Sequence, residues 1–233
     1  MRPVSFQRGW LAKPAGSCLV SFGRTRVLVS ASIENEVPVY RRGKGGWMTA
    51  EYSMLPGSTA PRKRRDGPKQ DGRSVEIQRL VGRALRAAVD LDKLGEVTIA
   101  IDCDVLDADG GTRTAAITGA WVAAYDALTE LATRQKQKAG AAHYLLGQIA
   151  AVSVGVVKGQ IEVDLDYIKD STAEVDMNLV MRAPLTGGVG DFVEVQGTGE
   201  NGVFSRGQLD QLLVAGSTAI NELFAAQRAA LGI

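Results

Sequence analysis

Residues 96–137 read EVTIAIDCDVLDADGGTRTAAITGAWVAAYDALTELATRQKQ, and this stretch decides the fold class. EVTIAIDCDVL (96–106) reads as a buried strand, DADGG (107–111) as a turn, and 112–137 as a long helix carrying Trp121, Leu128 and Leu131 inward. A strand that passes through a glycine turn straight into a long helix is a building unit of mixed α and β architectures.

Working upstream, SVEIQRLVGRALRAAVD (74–90) sets Val75, Leu80, Val81, Ala84, Leu85 and Ala88 on one helical face. Glu76, Arg79, Arg83, Arg86 and Asp90 fall on the other, and Ser74 is the expected N-cap. Residues 48–54 form a further expected strand, and 16–33 alternate around a Gly-Arg turn as a β-hairpin. Downstream the grammar repeats: strands at 148–157, 160–168 and 173–181 with a turn at Lys158-Gly159, a Gly-rich turn at 187–190, the strand DFVEVQG, and a closing helix over about 207–229. No Pro/Ser-rich linker separates the halves. The expectation is an α+β chain, one domain over 1–233, with two βαβ-like lobes at about 1–140 and 141–233 related as an internal pseudo-repeat.

Of the 233 residues, 45% are hydrophobic and 23% charged, enough for a sizeable core, which excludes disordered and fibrous classes. No apolar run of about 18 residues suggests a membrane span, and MRPVSFQRGW has no apolar segment of a secretory signal, so the cytoplasm is the expected compartment. Cys18 and Cys103 alone can build neither a disulfide framework nor a four-ligand zinc site.

The net charge of +1 conceals an asymmetry. Between Arg62 and Arg73, RKRRDGPKQDGR has six basic and two acidic residues, a local +4, so the remainder sums to −3. Proline and glycine punctuate it as a loop, and a cationic loop attracts a phosphate backbone by counterion release; a solvated surface loop is the plainer reading.

Gly110-Gly111-Thr112-Arg113-Thr114 places Thr112 at or near a helix N-cap, where free backbone N–H groups bind anions, and Arg113 adds a planar fork suited to phosphate. The lysine of a nucleotide-triphosphate loop is missing. Arg73, just before a helix start, is a second candidate phosphate ligand. Within EVDLDYIKDSTAEVDMN, Glu162, Asp164 and Asp166 would share a solvated strand face, Asp170 falls in a loop, and Asp176 lies on the next strand. A strand–loop–strand bend could bring Asp170 and Asp176 together around Mg²⁺, or leave both on a solvated face. His143, the one histidine, has no nucleophile and acid partners in sight and reads as structural or surface.

Five blocks, GWMTAEYSMLPGST, DGRSVEIQRLVGRALRAAVDL, IDCDVLDADGGTRTAAITGA, DSTAEVDMN and FVEVQGTGE, in this order resemble the bacterial ribonuclease PH family over essentially the whole chain. The resemblance implies a ribosomal protein S5 domain 2-like fold with mixed sheets packed on helices. It implies a phosphorolytic 3′-to-5′ exoribonuclease acting on tRNA precursors and other RNA, assembled as a homohexamer, a trimer of dimers. Carried over by motif, the family's phosphate ligands fall on Arg73, Gly111, Thr112 and Arg113. The acidic pair associated with the divalent cation falls on Asp170 and Asp176, and the RNA-facing loop on Arg62, Arg64 and Arg65. Family members usually begin with a further R-x-DGR segment ahead of LRPV, whereas this sequence starts at Met1-Arg2-Pro3; the expectation is an altered packing of the first strand and of a subunit contact there.

On this reading inorganic phosphate attacks the last phosphodiester, needing charge neutralisation more than activation, and no catalytic histidine is called for. Two other readings stand beside it: a catalytically silent RNA-binding ring subunit of an exosome-like assembly, which would tend to lack these ligands, and a translation module sharing only the fold.

Overall fold

The computed structural model describes residues 1–65 and 71–233. Strands β1 (Val4–Arg8), β2 (Gly16–Phe22), β3 (Thr25–Glu34), β4 (Trp47–Met54) and β5 (Thr98–Asp107) form one sheet in the order β1-β2-β3-β5-β4. β4 and β5 run parallel, joined through α1 (Gly72–Arg86), and the other pairs are antiparallel. A second sheet, β7-β6-β8-β9, is built from β6 (Gln148–Val157), β7 (Gln160–Val163), β8 (Val175–Ala183) and β9 (Asp191–Thr198), antiparallel throughout. β7 and β8 both pair with β6, so the short α3 (Tyr167–Thr172) between them completes a βαβ unit split by a strand. The repeat is therefore looser than the expected pair of equivalent halves: only the first contains adjacent parallel strands.

Between the sheets runs α2 (Thr112–Arg134), buried on almost every face from Thr112 to Ala124. Its small side chains allow this, since a helix apolar all round must be packed all round. At Gly16 of β2 an added Cβ would lie 2.0 Å from the Ala123 carbonyl oxygen, so only glycine lets strand and helix come so close. Trp121 fills the middle and donates its indole N–H to Gly147 O at 3.3 Å. α4 (Arg206–Leu231) closes the second sheet, burying Leu212, Ile220, Leu223 and Phe224. No helix among the described residues is long and apolar enough to cross a membrane.

The expected elements appear close to their expected bounds, with four corrections. α1 begins at Gly72, capped by Asp71 rather than Ser74: the Asp71 carboxylate accepts from Ser74 N at 2.6 Å, and Ser74 is itself buried. Lys63 bonds Asp71 at 2.5 Å, and that contact first, with the cap second, holds the Asp71 carboxyl down to about 2. α1 also stops at Arg86, short of Asp90, where the guanidinium stacks 4.6 Å over the Trp47 ring and donates to Met48 O. The strand expected over 160–168 ends at Val163, because Asp164 turns to φ +57° and Asp166 caps α3 through Lys169 N. Glu162, Asp164 and Asp166 thus do not share a solvated face, and Asp164 is only 3% exposed. Asp170, expected in a loop, sits on α3.

At the start of α4 the Ser205 hydroxyl accepts from Gln208 N while the Gln208 side chain accepts from Ser205 N, a reciprocal capping box. Ser205→Ala is expected to cost about 1 kcal/mol, lowering the melting temperature by about 2–4 °C in a chain of this size; calorimetry measures it.

Candidate active site

The turn from β5 into α2 is bent by two glycines with positive φ, Gly110 at +74° and Gly111 at +64°. Gly111 is the N-cap of α2, so the first amides of a 23-residue helix open toward the turn with no side-chain cap. Thr112 is 6% exposed, and its Oγ1 accepts from the Tyr52 hydroxyl of β4 at 2.8 Å. Burial pushes the Tyr52 phenol up, so it stays a neutral donor. Thr114 donates back to Gly111 O at 2.9 Å and stiffens the turn.

A cleft of about 640 Å³ opens over this turn, lined by Gly110, Gly111, Thr112, Arg73, Asp170 and Tyr167 among others. Arg73 projects exposed from the first turn of α1, and Asp170 faces it from α3. Arg113 does not line the cleft; its Nη1 donates to Gln196 of β9 at 3.1 Å and to Glu76 of α1 at 3.3 Å, and its side chain is 17% exposed. Its Nε and Nη2 have no hydrogen-bond partner among the described residues.

Asp176, at the start of β8, is half-buried. Its carboxyl is pushed up to about 6, first by burial and then by the charge of Asp170, against the pull of Arg113 and Arg73. The Asp170 carboxyl is also raised, again by burial first, with Arg73 opposing. Glu200 adds negative charge to both. Two arginines and three carboxylates thus act on one another, though no cluster of three or more His, Cys, Asp or Glu with metal-site geometry occurs among the described residues. Asp176 Oδ1 is buried with no hydrogen-bond partner among the described residues, an orphaned acceptor of the kind a cation satisfies.

Arg62, Arg64 and Arg65, expected from the sequence to face RNA, are exposed on the segment that follows the cleft's wall at Thr59–Pro61. The rest of that basic loop, 66–70, lies outside the described residues. His143 is half-buried with its ring edge-on to Tyr144, and it does not line the cleft.

Sequence reasoning missed Arg2, Thr25, Tyr52, Glu76, Asp164, Gln196 and Glu200. Gln196 and Glu200 lie inside the block FVEVQGTGE and could have been suspected from it. Tyr52 likewise lies inside the block GWMTAEYSMLPGST, whereas Arg2 lies in none of the five blocks.

The sequence profile of the 3′ exoribonuclease family, domain 1, matches residues 1–130, and that of domain 2 matches residues 147–219. The chain belongs to the ribonuclease PH family. It is 54% identical to ribonuclease PH of Corynebacterium glutamicum (strain R) over 236 residues, spanning 100% of this chain and 93% of that protein. It is 55% identical to ribonuclease PH of Corynebacterium kroppenstedtii, spanning 99% and 89%. Among solved structures, rice Rrp46 superposes with a TM-score of 0.77 at 17% identity, covering 99% of this chain and 95% of the other. A chain of the Archaeoglobus fulgidus exosome with RNA bound to the active site gives 0.75 at 22% identity, covering 95% and 87%. These two likenesses show a shared fold.

Proposed function

We infer that the chain is a phosphorolytic 3′-to-5′ exoribonuclease, a nucleotidyltransferase that removes 3′-terminal nucleotides from tRNA precursors and other RNA. Inorganic phosphate is the co-substrate and nucleoside diphosphates are the products. The observation that carries this reading is the pairing of an uncapped helix start at Gly111–Thr112 with Arg73 and Asp170 around one cleft, in a chain 54% identical to a ribonuclease PH. That identity, against 17–23% to exosome chains, favours the enzyme over a silent ring subunit.

In the reaction, a phosphate oxygen attacks the phosphorus of the last phosphodiester as the 3′ oxygen of the preceding nucleotide leaves and takes up a proton. Gly111 and Thr112 bind the attacking phosphate through backbone amides and hydroxyl, and Arg73 and Arg113 offset the charge where two anions meet. Tyr52 keeps the Thr112 hydroxyl oriented. Asp170 and Asp176 would hold a divalent cation such as Mg²⁺, which fits the orphaned Oδ1 of Asp176 and the preference of Mg²⁺ for one or two carboxylates plus phosphate oxygens. When bound, that ion supplies charge neutralisation at the scissile phosphate. The alternative role for Asp176 is that of an acid: with no cation on it, a carboxyl pushed up to about 6 retains a proton fraction near neutrality and can protonate the leaving oxygen. The bond made is close in energy to the bond broken, so the reaction runs both ways.

Incubating 3′-extended tRNA with and without phosphate tests the function. Nucleoside diphosphates are expected only with phosphate; monophosphates released in phosphate-free buffer would establish hydrolysis instead.

The proposal extends to a cytoplasmic homohexamer, a trimer of dimers, in which the exposed Arg62, Arg64 and Arg65 grip the body of the tRNA while its tail reaches the cleft. Neutralising the three together is expected to weaken tRNA binding and flatten its salt dependence, by about 0.7–0.9 in log–log slope per lost phosphate contact. Phosphorolysis of a short oligonucleotide should persist. Equal loss on both substrates would place the loop in the cleft or in ring assembly, which sizing chromatography separates.

A further inference from the structure

Underneath the phosphate-binding turn lies a buried ion pair that no motif announces. The Arg2 guanidinium straddles the Asp164 carboxylate, Nε to Oδ2 at 2.9 Å and Nη2 to Oδ1 at 2.6 Å, and Arg2 N donates to the same Oδ2 at 2.9 Å. The Asp164 side chain is 1% exposed and that of Arg2 16%. The same guanidinium reaches the turn, with Nη1 donating to Asp109 O at 2.5 Å and Nη2 to Gly110 O at 3.5 Å.

The other side of the turn rests on the segment that Asp164 begins. A Cβ on Gly110 would lie 2.3 Å from Leu165 O and 2.9 Å from Tyr167 N, so turn and segment are in direct backbone contact. Tyr167 N lies 3.4 Å from Asp109 Oδ1. Two residues after Asp164, Asp166 caps α3, the helix that carries Asp170. Asp164 itself holds a left-handed φ of +57°, fixed by its N–H donating to Ser153 O at 2.7 Å and by Leu165 N donating to Ser153 Oγ at 3.0 Å. Thr25 completes the cradle, donating to Gly110 O at 2.6 Å and accepting from Asp109 N at 2.9 Å.

We propose that Arg2 and Asp164 are positioning residues for phosphorolysis: their buried pair locks the Asp109–Gly111 turn against α3 and so sets the spacing between bound phosphate and Asp170. The assignment rests on the reading of Gly111, Thr112 and Arg113 as the phosphate site. Arginine is required because one planar group must bridge a carboxylate and two carbonyl oxygens at once; lysine offers charge without that fork. A slack turn displaces the attacking phosphate, and a misplacement of order 1 Å can cost as much as about 100-fold in rate.

The test measures initial rates against phosphate and against a short oligonucleotide for Arg2→Lys, Arg2→Met and Asp164→Asn, with thermal melts and sizing chromatography alongside. For Arg2→Met and Asp164→Asn the expected result is a rise in the phosphate KM of about tenfold or more, with the oligonucleotide KM within about twofold, in protein still folded at the assay temperature. Arg2→Lys should recover the melt more fully than the phosphate KM. Should Arg2→Met fail to fold, Arg2→Lys and Asp164→Asn decide. Unchanged phosphate KM in these two would overturn the proposal and reduce the pair to a structural strut. Arg113→Ala, run in parallel, separates the two levels. If it raises the phosphate KM while the Arg2 and Asp164 variants do not, the positioning role alone fails; if it too leaves the phosphate KM unchanged, the phosphate site is elsewhere and both readings fall.

Discussion

Asp176→Asn is expected to slow phosphorolysis by about 10²–10⁴-fold and, at the same time, to make the protein more stable at neutral pH. The two effects share a cause. Asp176 is half-buried, its Oδ1 accepts no hydrogen bond from the described residues, and its carboxyl is pushed up to about 6, by burial first and by Asp170 second. An acid raised in this way contributes its stability fully at pH below the unfolded-state value, near 4, and loses it as pH rises through about 6. Above that pH the native protein carries a poorly solvated charge that asparagine would not carry. The variant's gain should therefore be complete above about pH 6 and vanish toward pH 4, on the order of 1–2 kcal/mol once partial solvent screening is allowed for. Urea denaturation at pH 4.5 and 7.5 in the presence of a chelator measures the gain, and oligonucleotide binding should be retained. A variant with wild-type turnover would return Asp176 to an ordinary strand face, and one less stable at pH 7.5 would mean that the carboxylate is well solvated.

Arg113→Ala should lower kcat/KM for phosphate by about 10²–10³-fold, the usual effect of removing one preorganised donor to a reacting anion. Its effect on stability should be small, because Glu76 is 44% exposed on its side chain and an ion pair open to water is worth about 0–1 kcal/mol. The guanidinium is held through Nη1 by Glu76 and Gln196, from α1 and β9, so three elements converge on one side chain. Steady-state rates over a wide phosphate range, with oligonucleotide binding as a control, measure the effect. Arg73→Ala should act in the same direction, since Arg73 opposes the raised carboxyls of both Asp170 and Asp176. Unchanged saturation by phosphate in both variants would remove the two arginines from the site.

What the sequence alone determined is whatever repeats locally. Alternation marked the hairpin later seen as β2 and β3, the apolar run at 148–157 is β6 residue for residue, and the 3.6-residue period at 74–90 marked α1. Gly110 and Gly111 announced a turn whose positive φ values the structure bears out, because only a residue without Cβ meets Leu165 O at such a distance. The five blocks were enough to identify the family.

Only the tertiary structure decided how charged side chains pair. Asp164 lies among alternating acidic and apolar residues and by period alone belongs on an open strand face; its ion-pair partner Arg2 is 162 positions away, and the bonds to Ser153 that hold it at φ +57° come from the neighbouring strand, so no short window of sequence contains them. Asp71 displaced Ser74 as the cap of α1 because a carboxylate there serves both an amide and Lys63, and that second partner comes from the preceding loop. The raised carboxyl of Asp176 follows from burial and from Asp170 across the bend, and the hold on Arg113 comes from two elements that flank it in space but not in sequence. Periodicity records which face of an element is apolar, a property of near neighbours in the chain. Desolvation and ion pairing depend on what packs against that face, which is settled only when the sheets close around α2.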